Sequence, residues 1–273
     1  MSKPKLLVDR KALEMNRDRA IGRDEYFLHE LAIAELKERL GSINRDFQSI
    51  AIVASLSTPW RKAFPEATII KDKENLNLTN GNYDLIIHGM ALHWANDPVG
   101  QLIQVRLALK NDGLMIAVCL GGTTLNELRN VLIEAETRIL GGIHPRFMPL
   151  ADIRGLGSLM QRAGFALPVA DSTITECLYN GFYEILHDLR AMAETNVLIN
   201  RTRYFSRRCL FQYASELYKK QFSRPDKMVS ATYEHIYLTG WAPDPSQQKP
   251  LRPGSAKARL ADALRSKESY LPD

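Results

Sequence analysis

Two short apolar runs joined by one amphipathic stretch constrain this chain most. The first is Leu85-Ile86-Ile87-His88-Gly89-Met90 and the second Leu114-Met115-Ile116-Ala117-Val118-Cys119-Leu120; Gly81-Asn82 and Asn111-Asp112-Gly113 precede them as turns. Such runs are too short to span a bilayer, which takes roughly 20 apolar residues, and too continuous to lie half exposed. Strands covered on both faces by crossover helices read this way, so residues 84–129 predict a βαβ unit of a parallel sheet. Asp97 and Pro98 supply an N-cap and a first-turn proline. Leu102, Val105 and Leu109 supply the face that meets the sheet, and Asn111-Asp112-Gly113 is expected to stop the helix.

In open sheets of this kind ligands bind beyond the carboxyl ends of the strands. His93-Trp94 after the first run and Gly121-Gly122-Thr123-Thr124 after the second therefore mark the candidate site. An imidazole there can move a proton, an indole can stack on a ring or a guanidinium, and a glycine-rich turn can present N–H groups to an anion. A packed strand corner and a plain strand-to-helix turn account for the same residues without a ligand. Thr124 with Glu127 reads as a capping box for the next helix. Arg129, His144, Arg146, Asp188 and Arg190 can grip a protein substrate through charge-assisted hydrogen bonds, or pair within the chain.

The alternation continues on both sides. Residues 23–40 predict a helix with Leu28, Leu31, Ala32, Leu36 and Leu40 on one face, ending at Gly41; residues 49–54 and 67–70 predict strands, with a short helical piece broken at Pro65 between them. Residues 71–82 read as a loop. Further on come a helix over 149–163, an extended stretch over 165–174, two helices between 181 and 222 broken near 196–200, and a final strand over 231–241. The sum is an α/β fold, a doubly wound, mostly parallel sheet with an antiparallel final strand. Its expected parts are an N-terminal helical segment (1–48), a core (49–174), a helical cap over the carboxyl edge (175–229), a closing strand (230–242) and a Pro-rich basic tail (243–273).

Composition removes several function classes. Three cysteines with no C-x-x-C pair suggest neither a disulfide framework nor a cysteine zinc site; six scattered histidines without H-E-x-x-H give no metal site; and no G-x-S-x-G suggests a serine hydrolase. No run is long enough for a transmembrane helix and residues 1–5 lead into no secretory segment, so a soluble, unexported chain is expected. The net charge of +5 is concentrated in Lys3, Lys5, Arg10, Lys11, Arg17, Arg19 and Arg23 and again in Arg201, Arg203, Arg207, Arg208, Lys219, Lys220, Arg224 and Lys227. Such clusters can meet an acidic protein or a peripheral membrane surface, with solvated helix faces as the plainer reading. Tyr204, Phe205, Phe211, Tyr213 and Tyr218 read as the buried side of a helix and not as a base-stacking platform, so no nucleic acid is expected.

Ordered segments give a further signal: Asp9-Arg10 with Arg17-Asp18-Arg19-Ala20, Leu92-His93-Trp94 with Asn96-Asp97, Gly121 to Leu125 with Glu127-Leu128-Arg129, Gly141-Gly142 with Pro145-Arg146, Arg162 to Phe165, Asp188 to Met192 with Glu194 and Asn196, and Pro250 to Ala256. In this order the chain resembles the S-adenosylmethionine-dependent methyltransferase-fold family that includes the mitochondrial assembly factor of respiratory complex I and its α-proteobacterial homologues. It is similar, more distantly, to the malonyl-carrier-protein methyltransferase of biotin synthesis. The resemblance implies a class I methyltransferase-like Rossmann fold and S-adenosylmethionine as cofactor. It also implies a complex I subunit as protein partner, with a location in the bacterial cytoplasm or, in a eukaryote, the mitochondrial matrix.

The chain departs from that family after the first strand. Members with a working cofactor site carry an acidic residue and a glycine-rich turn there, whereas residues 51–60 read Ala-Ile-Val-Ala-Ser-Leu-Ser-Thr-Pro-Trp, with neither. About thirty residues separate Val53 from Asp84, enough for one crossover unit and not two. Ser55, Ser57, Asp72 and His88 remain as cofactor candidates, Asp72 or Glu74 standing in for the ribose carboxylate. Ordinary S-adenosylmethionine binding is not expected. The leading expectation is a protein that binds or modifies a partner, His93 and Trp94 being the candidate catalytic groups. The alternative is an active methyltransferase or arginine-modifying enzyme with an unusual pocket.

Overall fold

The computed structural model describes residues 6–23, 25–248, 254–255 and 258–265. Lys3 and Lys5 of the first basic cluster, and residues 249–253, 256–257 and 266–273 of the tail, lie outside them. Met1–Pro243 and Asp244–Asp273 form separate units.

Six strands, β1 (Ile50–Ala54), β2 (Thr68–Lys71), β3 (Tyr83–Gly89), β4 (Leu109–Leu120), β5 (Ala166–Tyr179) and β6 (Val229–Trp241), form one sheet in the order β2-β1-β3-β4-β6-β5. The first four run parallel, and β6 lies antiparallel between β4 and β5. β3 is buried at every residue, as its continuous apolar run requires. The helices of this unit are α1 (Arg10–Ala20), α2 (Phe27–Gly41), α3 (Ser57–Ala63), α4 (Pro98–Ala108), α5 (Asn126–Leu140), α6 (Ile153–Arg162), α7 (Phe182–Ala191) and α8 (Arg208–Phe222). Alternate side chains of β3 divide between two cores. Leu85 and Ile87 pack with α2, α5 and α8, and Ile86 packs with α4 and α6. The second unit carries α9 (Leu260–Leu264).

Only α3 and the four-residue β2 intervene between β1 and the loop into β3, as the short spacing predicts. β2 is thus an edge strand, and Asp72 directly follows it.

Several local expectations fail for identifiable reasons. α4 ends at Ala108, not at Asn111, because Leu109 is taken into β4 opposite Tyr83; an apolar residue at that point suits the helix face and the strand equally. The capping box does not form: Leu125 takes the N-cap position with φ 56°, while Thr124 Oγ1 donates to the Glu234 carbonyl and Glu127 accepts from Thr232. α6 starts at Ile153, where the Asp152 side chain caps Gly155 N–H. β5 continues to Tyr179 through its pairing with β6. The helix break widens to 192–207, so Tyr204 and Phe205 stand before α8 and not on its buried face. Leu31 faces outward from α2.

Candidate functional site

Two cavities open at the carboxyl edge of the parallel strands. The first, of about 340 Å³, lies between α1 and the ends of β1 and β2; Ser55, Ser57 and Asp72 line it together with Arg10 and Arg17. Asp72 is buried and fully engaged. Arg17 Nη2 lies 2.8 Å from Oδ2, Arg10 Nη2 lies 3.2 Å from Oδ1 and also donates to the Asp72 carbonyl, and Gln101 Nε2 donates to Oδ1 at 3.1 Å. Burial works against this charge, but Arg17 and Arg10 outweigh it and hold the carboxyl below its usual range. Arg10 Nη1 also donates to the Trp94 carbonyl at 3.2 Å. Since β1 lies between β2 and β3, a guanidinium bonded to groups following each of them crosses the end of β1.

α1 is fastened in that position. Asn96 Oδ1 accepts from the N–H groups of Leu7 and Val8, Asp9 N–H donates to the Val197 carbonyl, and the Asp9 carboxylate takes Arg201 and Arg203. His88 lies behind the cavity, buried in β3, and meets Gln101 at 3.0 Å. Burial lowers its pKa. Ser55 Oγ is buried with no hydrogen-bond partner among the described residues.

The second cavity, of about 270 Å³, gathers His93, Trp94, Arg129, Arg146, Arg190 and Glu194 with Phe147 and Phe211. Glu194 follows α7, and its Oε2 accepts from Trp94 Nε1 at 3.1 Å and from His93 Nε2 at 3.2 Å. Burial opposes ionisation of Glu194, but His93 and the two hydrogen bonds hold its pKa below the usual range. With the carboxylate ionised, His93 Nε2 is the donor of that bond, and its Nδ1 is left buried without a partner among the described residues. Arg146 bonds the buried Glu136 at 2.6 Å. The Arg129 guanidinium lies 5.7 Å from the centre of the Phe147 ring, with its Nε unpartnered among the described residues.

Beneath this cavity His29 and His235 are buried within electrostatic reach of Glu194 and His93. Desolvation pushes both pKa values down to about 4. His29 Nδ1 accepts from Trp60 Nε1 at 3.1 Å. Trp60 in turn fills the space beside Gly89, where a Cβ would come within 2.5 Å of its ring.

The other candidates lie elsewhere. Thr123 N–H and Oγ1 both donate to Glu234 Oε2, at 2.9 and 2.8 Å, so an internal carboxylate occupies the Gly121-Gly122-Thr123 turn. A Cβ on Gly121 would come within 2.5 Å of that carboxyl, which is why the turn needs glycine there. Asp188 points away from the second cavity, toward Glu25, Glu30 and Tyr179. Burial and Glu25 raise its pKa, against the pull of the Tyr179 hydrogen bond. Glu25, His187 and Asp188 bring donor atoms within 4.8 Å of one another near the surface. Sequence reasoning did not select Glu194, Arg10 or Arg17 as site residues. The only signal for them was membership in the ordered segments, Arg10 and Arg17 also belonging to the basic cluster.

No protein-family profile matches the chain. Its fold matches a solved structure described as a methyltransferase from Bacillus halodurans, with a TM-score of 0.50 and 12% identity over 78% of this chain and 99% of that one. A six-stranded, mostly parallel sheet with helices on both faces and a site at its carboxyl edge defines a class I methyltransferase-fold protein. Zebrafish (Danio rerio) mitochondrial arginine-hydroxylase NDUFAF5 is 34% identical over 81% of this chain and 68% of the relative; the human protein is 34% identical over 81% and 64%. A malonyl-[acyl-carrier protein] O-methyltransferase of Laribacter hongkongensis is 31% identical over 69% and 61%. The chain belongs to the NDUFAF5 family, the complex I assembly-factor family that its ordered segments resemble, and spans about two thirds of the length of these relatives.

Proposed function

We propose that this chain holds an arginine-bearing segment of a protein partner in the His93–Trp94–Glu194 cavity and positions that side chain for modification. Were this the hydroxylation for which the NDUFAF5 relatives are named, dioxygen and a two-electron reductant from outside the cavity would supply the inserted oxygen and carry the second oxygen away as water. The carrying observation is Glu194: a buried, ionised carboxylate fixed by an indole and an imidazole, with Oε1 accepting no hydrogen bond from the described residues. A guanidinium entering there meets a charge partner and the aromatic faces of Trp94 and Phe147. His93 Nδ1, buried without a partner among the described residues and oriented by the bond that Nε2 gives to Glu194, is the atom we assign to proton transfer. Arg129 and Arg190 suit carbonyls or acidic residues flanking the bound arginine. A complex I subunit is the partner we favour, met in the bacterial cytoplasm or the mitochondrial matrix.

The first cavity does not fit ordinary binding of S-adenosylmethionine. The carboxylate after β2 is consumed by Arg10, Arg17 and Gln101, Arg10 bridges it to the Trp94 carbonyl, and no glycine loosens the turn after β1. A second reading, an active methyltransferase, draws on the unpartnered Ser55 Oγ and the space still open beneath α1.

Isothermal titration with S-adenosylhomocysteine and mass spectrometry of arginine-bearing complex I peptides separate the two. We expect no saturable micromolar binding and, with dioxygen and a reductant supplied, a gain of one oxygen on arginine that Glu194→Gln abolishes while the fold is kept. Micromolar binding with a methylated product would replace the proposal by the second reading.

A further inference from the structure

The loop between α7 and α8 presents an arrangement that neither the fold nor the cavities require. Phe205 is 104% exposed and Tyr204 87%, two large rings wholly in water. Their position is not the result of a slack chain. Arg201 donates to the Leu198 carbonyl and to Asp9, Arg203 donates to Asp9, and Ser206 Oγ accepts from Arg146 at 2.9 Å, so the segment is tethered on both sides of its tip. Residues 195–215 contain four arginines and no carboxylate. Asp9 balances Arg201 and Arg203, but Arg207 and Arg208 are exposed and make no ion pair among the described residues. Exposed Leu7 and Ile199, joined by a backbone hydrogen bond, add apolar surface at the root of the loop.

Rings at a tip, with guanidiniums on both sides and the one neighbouring carboxylate, Asp9, already paired with Arg201 and Arg203, match the layering of a bilayer surface. Aromatic side chains settle at the headgroup and acyl boundary while arginines meet lipid phosphates. A protein groove would need a shaped complementary surface, whereas a lipid surface needs only this order of chemistry. We infer that residues 201–208 dock this protein on an anionic phospholipid surface, with Tyr204 and Phe205 inserted and Arg207 and Arg208 on the phosphates. Because Ser206 is bonded to Arg146, a wall residue of the second cavity, docking holds that cavity close to the bilayer.

The test is co-sedimentation of the full chain with phosphatidylcholine vesicles with and without phosphatidylglycerol. Binding is expected only with the anionic lipid and should fall with salt. Tyr204→Ala with Phe205→Ala, and separately Arg207→Glu with Arg208→Glu, should each weaken it about tenfold or more, with thermal midpoints unchanged because these side chains are exposed. Phe205→Trp should add an indole signal that brominated acyl chains quench. Absence of binding at low salt, or wild-type binding by both double variants, would overturn the inference. So would normal vesicle binding by variants that lose an acidic protein partner, since the loop would then be a protein-docking surface. Modification of a free peptide is read independently, because none of these residues lines the cavity.

Discussion

Asp72 and Glu194 are both buried acids at the carboxyl edge of one sheet, and both are held ionised, but by different company. Asp72 faces two guanidiniums and an amide, so its charge is spent inside the protein. Glu194 faces one indole and one imidazole, which orient it while leaving an oxygen for something else. Burial and a displaced pKa are common to both, so neither marks a site. What distinguishes them is whether the internal partners already balance the charge.

The largest expected effect separates the buried histidines near Glu194 from both acids. His29 and His235 have folded pKa values of about 4, against an unfolded value of about 6.5. Between these values the unfolded chain binds more protons, so stability rises with pH. The contribution is fully present above about 6.5 and lost as pH falls toward 4, about 3 kcal/mol for each histidine. Asp72 and Glu194, with lowered folded values, give stability that is present above the unfolded carboxyl value and lost only as pH falls through the folded one. Urea unfolding across this range should therefore show a first decline that His235→Gln reduces, then a second in more acid solution. A flat profile down to about pH 5 would mean the imidazoles are not held neutral as described.

Removing each acid tests the contrast directly. Asp72→Ala strands Arg10 and Arg17, whose side chains are 24% and 13% exposed, and should cost about 3 kcal/mol, near the lower end for broken buried pairs because water reaches the guanidiniums. Glu194→Gln keeps an acceptor for Trp94 and His93 and should cost about 1 kcal/mol while abolishing partner modification. Both are measured by urea unfolding at neutral pH. Equal costs, or a larger one for Glu194→Gln, would break the contrast.

Sequence reading succeeded where one stretch of chain carries the cause. β3 and β4 were legible because doubly covered strands must be continuously apolar, and so was the position of His93-Trp94 just beyond the end of β3. The end of α4 was not, since Leu109 satisfies two periodicities and only pairing with Tyr83 decides between them. The company of the two acids was invisible for a different reason. Arg10 and Arg17 lie 62 and 55 positions before Asp72, and Glu194 lies 100 after Trp94, distances that no local pattern spans. Tyr204 and Phe205 misled because aromatics between arginines suit a helix, and only the late start of α8 leaves them in water.

The smallest effect concerns the turn after β4, which from sequence was either an anion cradle or a plain strand-to-helix turn. Glu234 already supplies the anion: it takes the N–H and the hydroxyl of Thr123, and Gly121 is glycine because that carboxyl approaches so closely. Thr123→Val keeps the N–H bond and the side-chain shape but removes the hydroxyl donor, so it should cost about 1 kcal/mol, the worth of one partly buried hydrogen bond. Partner modification should be unchanged, because the turn would then belong with Asp72 as a charge balanced from within. If Thr123→Val instead weakens partner binding with little loss of stability, Glu234 must yield its place to a ligand, and the turn belongs with Glu194.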